Sequence, residues 1–418
     1  MKAIKNPKEK RSLRYFICLV LPLSILYSLF PFLKHTFSQL QPGYIVIICA
    51  LLYSLMFFLL RFYMTANRLF QPEKTELDTQ NRYTGVDILR CAAISMVITL
   101  HYLIAIGYYD EQTGTLHFYI LSLLRWFSMC SCPLFMMMSG FLLSHRKVDR
   151  RHFLKTGKVF RNYFSLVVIF FALNPDAFST ETIKTYINLD YMWYVNMYLG
   201  LALVTPFLNI MYSRLSEREK EILIIILISI SSLWTITAHW TTNYWSSLYP
   251  IMYYFIGMYI RETEIHLKKN ISFFIVCIMV AVMSLYSQYI NFGGVFNWID
   301  NYGGFSSGYN AVPVIIASVA CFLLLYDIRI KKRLFTRLFS EISAVSLEIY
   351  VISGLFTGSF VRRQIWSLNL PIRHEWLLIL IVPCELTLGY VCGKTLNLFW
   401  DFMYKVWKNF RNLKGKYT

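Results

Sequence analysis

Stretches of about 20 apolar residues recur along this chain, each long enough for a helix to cross a bilayer. The gaps between them alternate between rich and poor in Lys and Arg. The apolar windows fall at roughly residues 15–33, 44–62, 86–108, 118–143, 153–173, 191–212, 221–238, 244–260, 271–290, 309–326, 341–360 and 376–400. Basic groups cluster before the first window (Lys2 to Arg14) and in every second gap, as with Arg146, Lys147, Arg150, Arg151 and Lys155, and again after the last window (Lys405 to Lys416). The intervening gaps are poor in them: Asp110 and Glu111 lie between the third and fourth windows, and 291–308 has neither Lys nor Arg. One gap dissents, with Arg362, Arg363 and Arg373. Cytoplasmic loops carry the Lys and Arg excess, so the alternation predicts twelve spans with both termini in the cytoplasm. The expected fold is an all-α polytopic bundle.

Composition agrees. Hydrophobic residues make up 56% of the chain and charged residues only 15%, against about a quarter in soluble domains. The net charge of +18 lies between apolar runs, which suits loops facing anionic lipid rather than nucleic acid. The nine cysteines are scattered, and Cys130 and Cys132 lack the second Cys/His pair of a zinc site, so no metal is expected. The run from Tyr15 to Leu33 is longer than a signal-peptide core and no small-residue cleavage site closes it, so it reads as a retained span. Residues 1–81 form two leading helices and a polar linker, 82–404 a ten-helix unit, and 405–418 a basic tail.

Polar residues inside apolar spans are costly and usually face a partner, a cavity or a substrate. In the third span Arg90 and His101 are separated by ten residues. Eleven helical steps return to within about 20° of the starting direction, about 16 Å further along the axis. Asp87 lies one turn before Arg90 and can pair with it. A cation near the cytoplasmic mouth can hold an anionic cosubstrate, and a deeper imidazole on the same face can act as a base. Taken singly, the two residues also suit a snorkelling arginine and a packed histidine.

This pattern resembles the family-three membrane acyltransferases, polytopic proteins that move acyl groups onto cell-surface sugars. The first helix of their core carries Asp, Arg, ten residues and His, here Asp87, Arg90 and His101. CPLFMMMSGFLL, with Pro133, Phe135, Ser139, Gly140 and Phe141, is similar to the end of their second core helix. Arg150, Arg151 and Arg161 match the basic segment after it, Trp193-Tyr194 an aromatic pair, and Ser346 to Ile352 a late helix. The family often has a histidine just beyond that helix's Tyr-Leu-Ile, where this chain has Ser353. The resemblance covers about residues 82–400. It implies a ten-helix core in a bacterial plasma membrane, an acyl-CoA donor bound by Arg90, Arg150, Arg151 and Arg161, and a carbohydrate or glycolipid acceptor. It also implies catalysis by His101 with Arg90 and Asp87, to which Glu348 is added as a catalytic candidate from its place inside an apolar span. His101 is either a general base or a transient acyl carrier.

Other intramembrane polar residues keep two readings. Glu348 either orients a cation or imidazole, or pairs with Arg125 or Arg90. Glu385, after Pro383, either lines a kink or forms a structural pair. Arg125 is an ion-pair partner or a substrate contact, Trp193 and Tyr194 are belt aromatics or acceptor contacts, and Tyr350 is a further acceptor candidate. The loop with Gly293, Gly294, Gly303 and Gly304 reads as flexible. A transporter or flippase for a lipid-linked sugar uses similar intramembrane charges, and an uptake or sensing module is a third class. The oligomeric state, a homodimer included, is open.

Overall fold

The computed structural model describes residues 83–173, 179–187, 192–232, 243–290, 308–330, 332–356 and 377–414. The two leading spans and the Gly-rich loop lie outside these residues. Among the described residues helix accounts for 86% and there is no strand. The helices are α1 (Thr84–Ala105), α2 (Leu116–Ser128), α3 (Ser131–Leu143), α4 (Arg150–Leu173), α5 (Thr180–Ile187), α6 (Trp193–Arg214), α7 (Glu217–Ser232), α8 (Tyr249–Thr263), α9 (Lys269–Ile290), α10 (Val312–Leu325), α11 (Arg333–Ala344), α12 (Ser346–Phe356) and α13 (Leu378–Lys414).

A helix or helix pair stands in each of the ten windows expected after residue 82. Five are long and apolar enough by themselves to cross a membrane, and the bent pair α11–α12 makes a sixth. Two windows differ from simple spans. The fourth is split into α2 and α3 around Met129 and Cys130, with Pro133 placed near the α3 start, where its missing N–H costs little. The eleventh bends by 58° between α11 and α12, at Val345.

Local chemistry fixes the helix ends. The Thr115 hydroxyl accepts from Phe118 N at the start of α2, and Asp149 Oδ1 accepts from His152 N at the start of α4. Ser216 and Glu219 cap α7 reciprocally. The hydrogen bonds from Ser216 hold the Glu219 carboxyl below its ordinary pKa. The last turn of α3 is tied down by Asn209 of α6, whose amide donates to Leu143 O at 2.7 Å and Arg146 O at 2.9 Å. Within helices, Ser95, Thr99, Ser139 and Thr205 return their hydroxyls to the carbonyl four residues back, which keeps these four hydroxyl protons bonded in an apolar setting.

The core is built where α1 packs on α2, α3, α11 and α12, and α3 packs on α8. At the α3–α8 crossing Gly140 faces the Tyr254 carbonyl and Gly257 faces the Met137 carbonyl, so closely that a Cβ on either would strike the other helix's backbone. Small residues that let backbones approach are the usual device of helix packing in lipid, where burial of apolar surface supplies no drive. Outward faces are apolar: Leu380, Leu388, Leu398 and Phe402 on α13, Phe207 and Ile210 on α6, and Phe273 and Phe274 on α9 are all exposed. Such faces belong against acyl chains.

Candidate active site

Arg90 and His101 both lie on α1, which is helical throughout Thr84–Ala105. Each lines a cavity. Arg90 borders a cavity of about 250 Å³ together with Ser139, Tyr194, Tyr198, Ser343 and Tyr350. His101 borders one of about 290 Å³ with Tyr108, Tyr109, Arg125, Trp193 and Tyr350. Tyr350, on α12 and 4% exposed, lines both and is their common wall. The adjacent residues Trp193 and Tyr194 at the start of α6 divide between them, one per cavity. Tyr194 and His101 each pack on Tyr350, with ring centroids 5.4 and 5.6 Å away.

The Arg90 turn is held from α11. Ser343 Oγ accepts from Arg90 Nη1 at 2.9 Å and donates to Asp87 Oδ1 at 2.7 Å. Asp87 is buried, and the hydroxyl relays its charge to the guanidinium while the rest of the Arg90 fork keeps further donors. The bend at Val345 lets α11 present Ser343 to α1 while α12 presents Tyr350 and Ser353.

His101 is oriented by the residue that departs from the family pattern. Ser353 Oγ lies 2.9 Å from His101 Nδ1 and 3.0 Å from the Tyr350 carbonyl oxygen. A hydroxyl has one proton, and the carbonyl can only accept. Both contacts are satisfied together when Ser353 donates to Tyr350 and His101 Nδ1–H donates to Ser353. That tautomer leaves the lone pair on Nε2. Gly354 leaves room beside the imidazole: a Cβ there would lie 3.5 Å from His101 Cε1 and would strike the Met192 side chain.

The other sequence candidates separate. Arg125, 7% exposed, lies in the His101 cavity. Glu348 pairs with neither Arg125 nor Arg90. It is buried and accepts from Asn162 Nδ2 at 2.6 Å and Asn397 Nδ2 at 3.1 Å, joining α12 to α4 and α13. Arg161 sits at the edge of that cluster, donating to Asn162 Oδ1 and lying over the Trp400 ring at 4.7 Å, away from both cavities. Arg150 is exposed at the start of α4, and the side chain of Arg151 lies outside the described residues. Glu385 lines neither cavity. Among the described residues no group of three or more His, Cys, Asp or Glu side chains is arranged to hold a metal. Sequence reasoning did not single out Ser343, Tyr198, Asn162 or Asn397, and a lone serine or asparagine in an apolar helix offers no signal that would have done so.

The family model of an acyltransferase domain matches residues 83–392. No curated protein and no solved structure gives a significant match.

Proposed function

Because the chain belongs to the family-three membrane acyltransferases, we propose that it transfers an acetyl or other short acyl group from cytoplasmic acyl-CoA to a hydroxyl of a cell-envelope carbohydrate or glycolipid at a bacterial inner membrane. The observation that carries this reading is the pair of cavities meeting at Tyr350, with a guanidinium in one and an imidazole in the other. Twelve spans with both termini inside would put the Arg90 cavity toward the cytoplasm and the His101 cavity toward the outer face.

A cavity of about 250 Å³ lies below the range of about 300–1,000 Å³ that encloses drug-sized ligands. It suits the slender pantetheine arm, with the nucleotide remaining at the basic surface near Arg150. The free donors of Arg90 then face phosphate or amide oxygens of the donor. In the direct route, His101 Nε2 takes the proton of the acceptor hydroxyl as its oxygen attacks the thioester carbonyl. The tetrahedral centre collapses, the C–S bond breaks, and the thiolate takes the proton from the imidazolium. In the relay route Nε2 itself attacks the carbonyl, the C–S bond breaks and the thiolate takes up the proton lost from the acylated imidazole; the acceptor hydroxyl then attacks the acyl-imidazole, the N–C bond breaks, and the hydroxyl proton returns to the ring.

The test is acyl transfer by purified full-length protein with acetyl-CoA and candidate sugars. Replacing Arg90 by Ala should raise the KM for acetyl-CoA, and an unchanged KM removes Arg90 from donor binding. Movement of a lipid-linked sugar without thioester consumption would make the chain a flippase instead.

A further inference from the structure

Among the described residues, Arg125 is a buried cation without a counter-charge. It projects from the last turn of α2 into the cavity that holds His101. Its guanidinium carbon lies 4.6 Å from the Trp126 ring, 5.4 Å from Tyr108 and 5.5 Å from Tyr109. The one hydrogen bond it makes among the described residues is long, from Nη2 to Tyr109 OH at 3.4 Å, and no carboxylate among them lies in ion-pair range of it. Tyr108, which could have competed for it, is engaged by Ser122 at 2.9 Å. Aromatic faces hold an arginine in place while leaving its in-plane N–H donors unused. Burying such a group is costly unless it is paired. A positive charge preset beside a base and opening into a cavity is therefore arranged for an anion that arrives with the ligand.

We propose that Arg125 anchors an anionic group, a carboxylate or a phosphate, carried by the acceptor close to the hydroxyl that is acylated. The acceptor class narrows from carbohydrates in general to acidic sugars or phosphorylated polyols. The inference rests on the reading of the His101 cavity as the acceptor site. Recognition is by charge-assisted, forked hydrogen bonds from Arg125, which fit both oxyanions. Trp193, 37% exposed and lining the same cavity, offers an apolar face against which a sugar ring can stack.

The experiment uses purified full-length protein, acetyl-CoA and two matched acceptor pairs: methyl glucuronide against methyl glucoside, and glycerol 3-phosphate against glycerol. At least one charged member should exceed its neutral counterpart in kcat/KM by about 10- to 100-fold, the span expected of hydrogen bonds to a charged group. Arg125→Gln should bring that ratio close to parity, and Arg125→Lys should retain part of it. Which pair shows the effect separates a carboxylate from a phosphate. Equal use of charged and neutral acceptors by the unaltered protein, or an equal fall for both in Arg125→Gln, overturns the proposal and leaves Arg125 a structural residue.

A binding measurement without donor keeps the two readings apart. Arg125-dependent thermal stabilisation by methyl glucuronide or glycerol 3-phosphate, with no acceptor acylated, would sink acyl transfer and keep the anion site. Transfer to neutral acceptors alone would do the reverse. Repeating the assay in phosphatidylcholine vesicles with and without phosphatidylglycerol tests a lipid phosphate as occupant. Arg125-dependent inhibition by phosphatidylglycerol, with no preference among acceptors, overturns the acceptor assignment.

Discussion

Ser353 Oγ lies 2.9 Å from His101 Nδ1, across 252 positions of sequence. The serine hydroxyl is itself committed to the Tyr350 carbonyl, so under the proposed function the imidazole is held by the nitrogen that does no chemistry. Ser353→Ala removes that hold without removing the base. A single orienting hydrogen bond is worth about 1 kcal/mol, so kcat should fall roughly 5- to 10-fold with little change in either KM. A rise in KM at constant kcat would show that Ser353 serves binding instead.

His101→Gln keeps a polar side chain of similar size and removes the proposed base. Loss of general-base catalysis costs about 10²–10⁴-fold, and the variant should still elute as a folded protein. The unaltered enzyme should lose activity as pH falls and the imidazole is protonated. The residual activity of the variant should show no such limb. Transfer at the original rate by correctly inserted protein would rule out both the base and the relay.

Tyr350 lines both cavities, and under the proposed function its ring separates the donor side from the acceptor side. Tyr350→Ala joins the cavities and should admit water to the thioester, raising the ratio of acetyl-CoA hydrolysis to acyl transfer several-fold. Tyr350→Phe keeps the ring and should hold that ratio low. Hydrolysis assays run with and without acceptor distinguish the outcomes, and a tight ratio in the alanine variant would mean that the ring is not the barrier.

Gly140→Ala and Gly257→Ala each force a methyl group into a neighbouring backbone rather than into a side chain that can turn aside. Overpacking of this kind costs about 1–3 kcal/mol. Purified variants should melt at lower temperature and express poorly, whereas Gly200→Ala, where a Cβ would meet nothing within 4 Å, should melt as the parent does.

The placement of Arg90 and His101 on α1 was legible in the sequence because both of its signals are local. Apolar length marks the helix, and the spacing from Arg90 to His101 puts both residues on one face. Periodicity could not have found the partners of those residues. Ser343 and Ser353 reach α1 only because α11 and α12 pack on it, and neither serine differs locally from those that merely bond back within their own helices. The bend at Val345 was equally hidden, since no proline or glycine marks it. Glu348 was legible as an unusual residue, but its partners were not, because Asn162 and Asn397 lie on two other helices.

The shared Tyr350 wall also has an electrical consequence. With one water-accessible cavity open toward each face, as proposed, most of the transmembrane voltage would drop across that single ring instead of across the full bilayer. Each elementary charge carried through the drop works with or against about 2.3 kcal/mol per 100 mV. The acyl group leaves its bonding pair on the thiolate, and the proton that the thiolate takes up from the acceptor side offsets that charge, while the phosphates of the carrier stay on the Arg90 side. The net exchange across the ring would thus move no charge, and its equilibrium would be the same in an energised and a depolarised membrane.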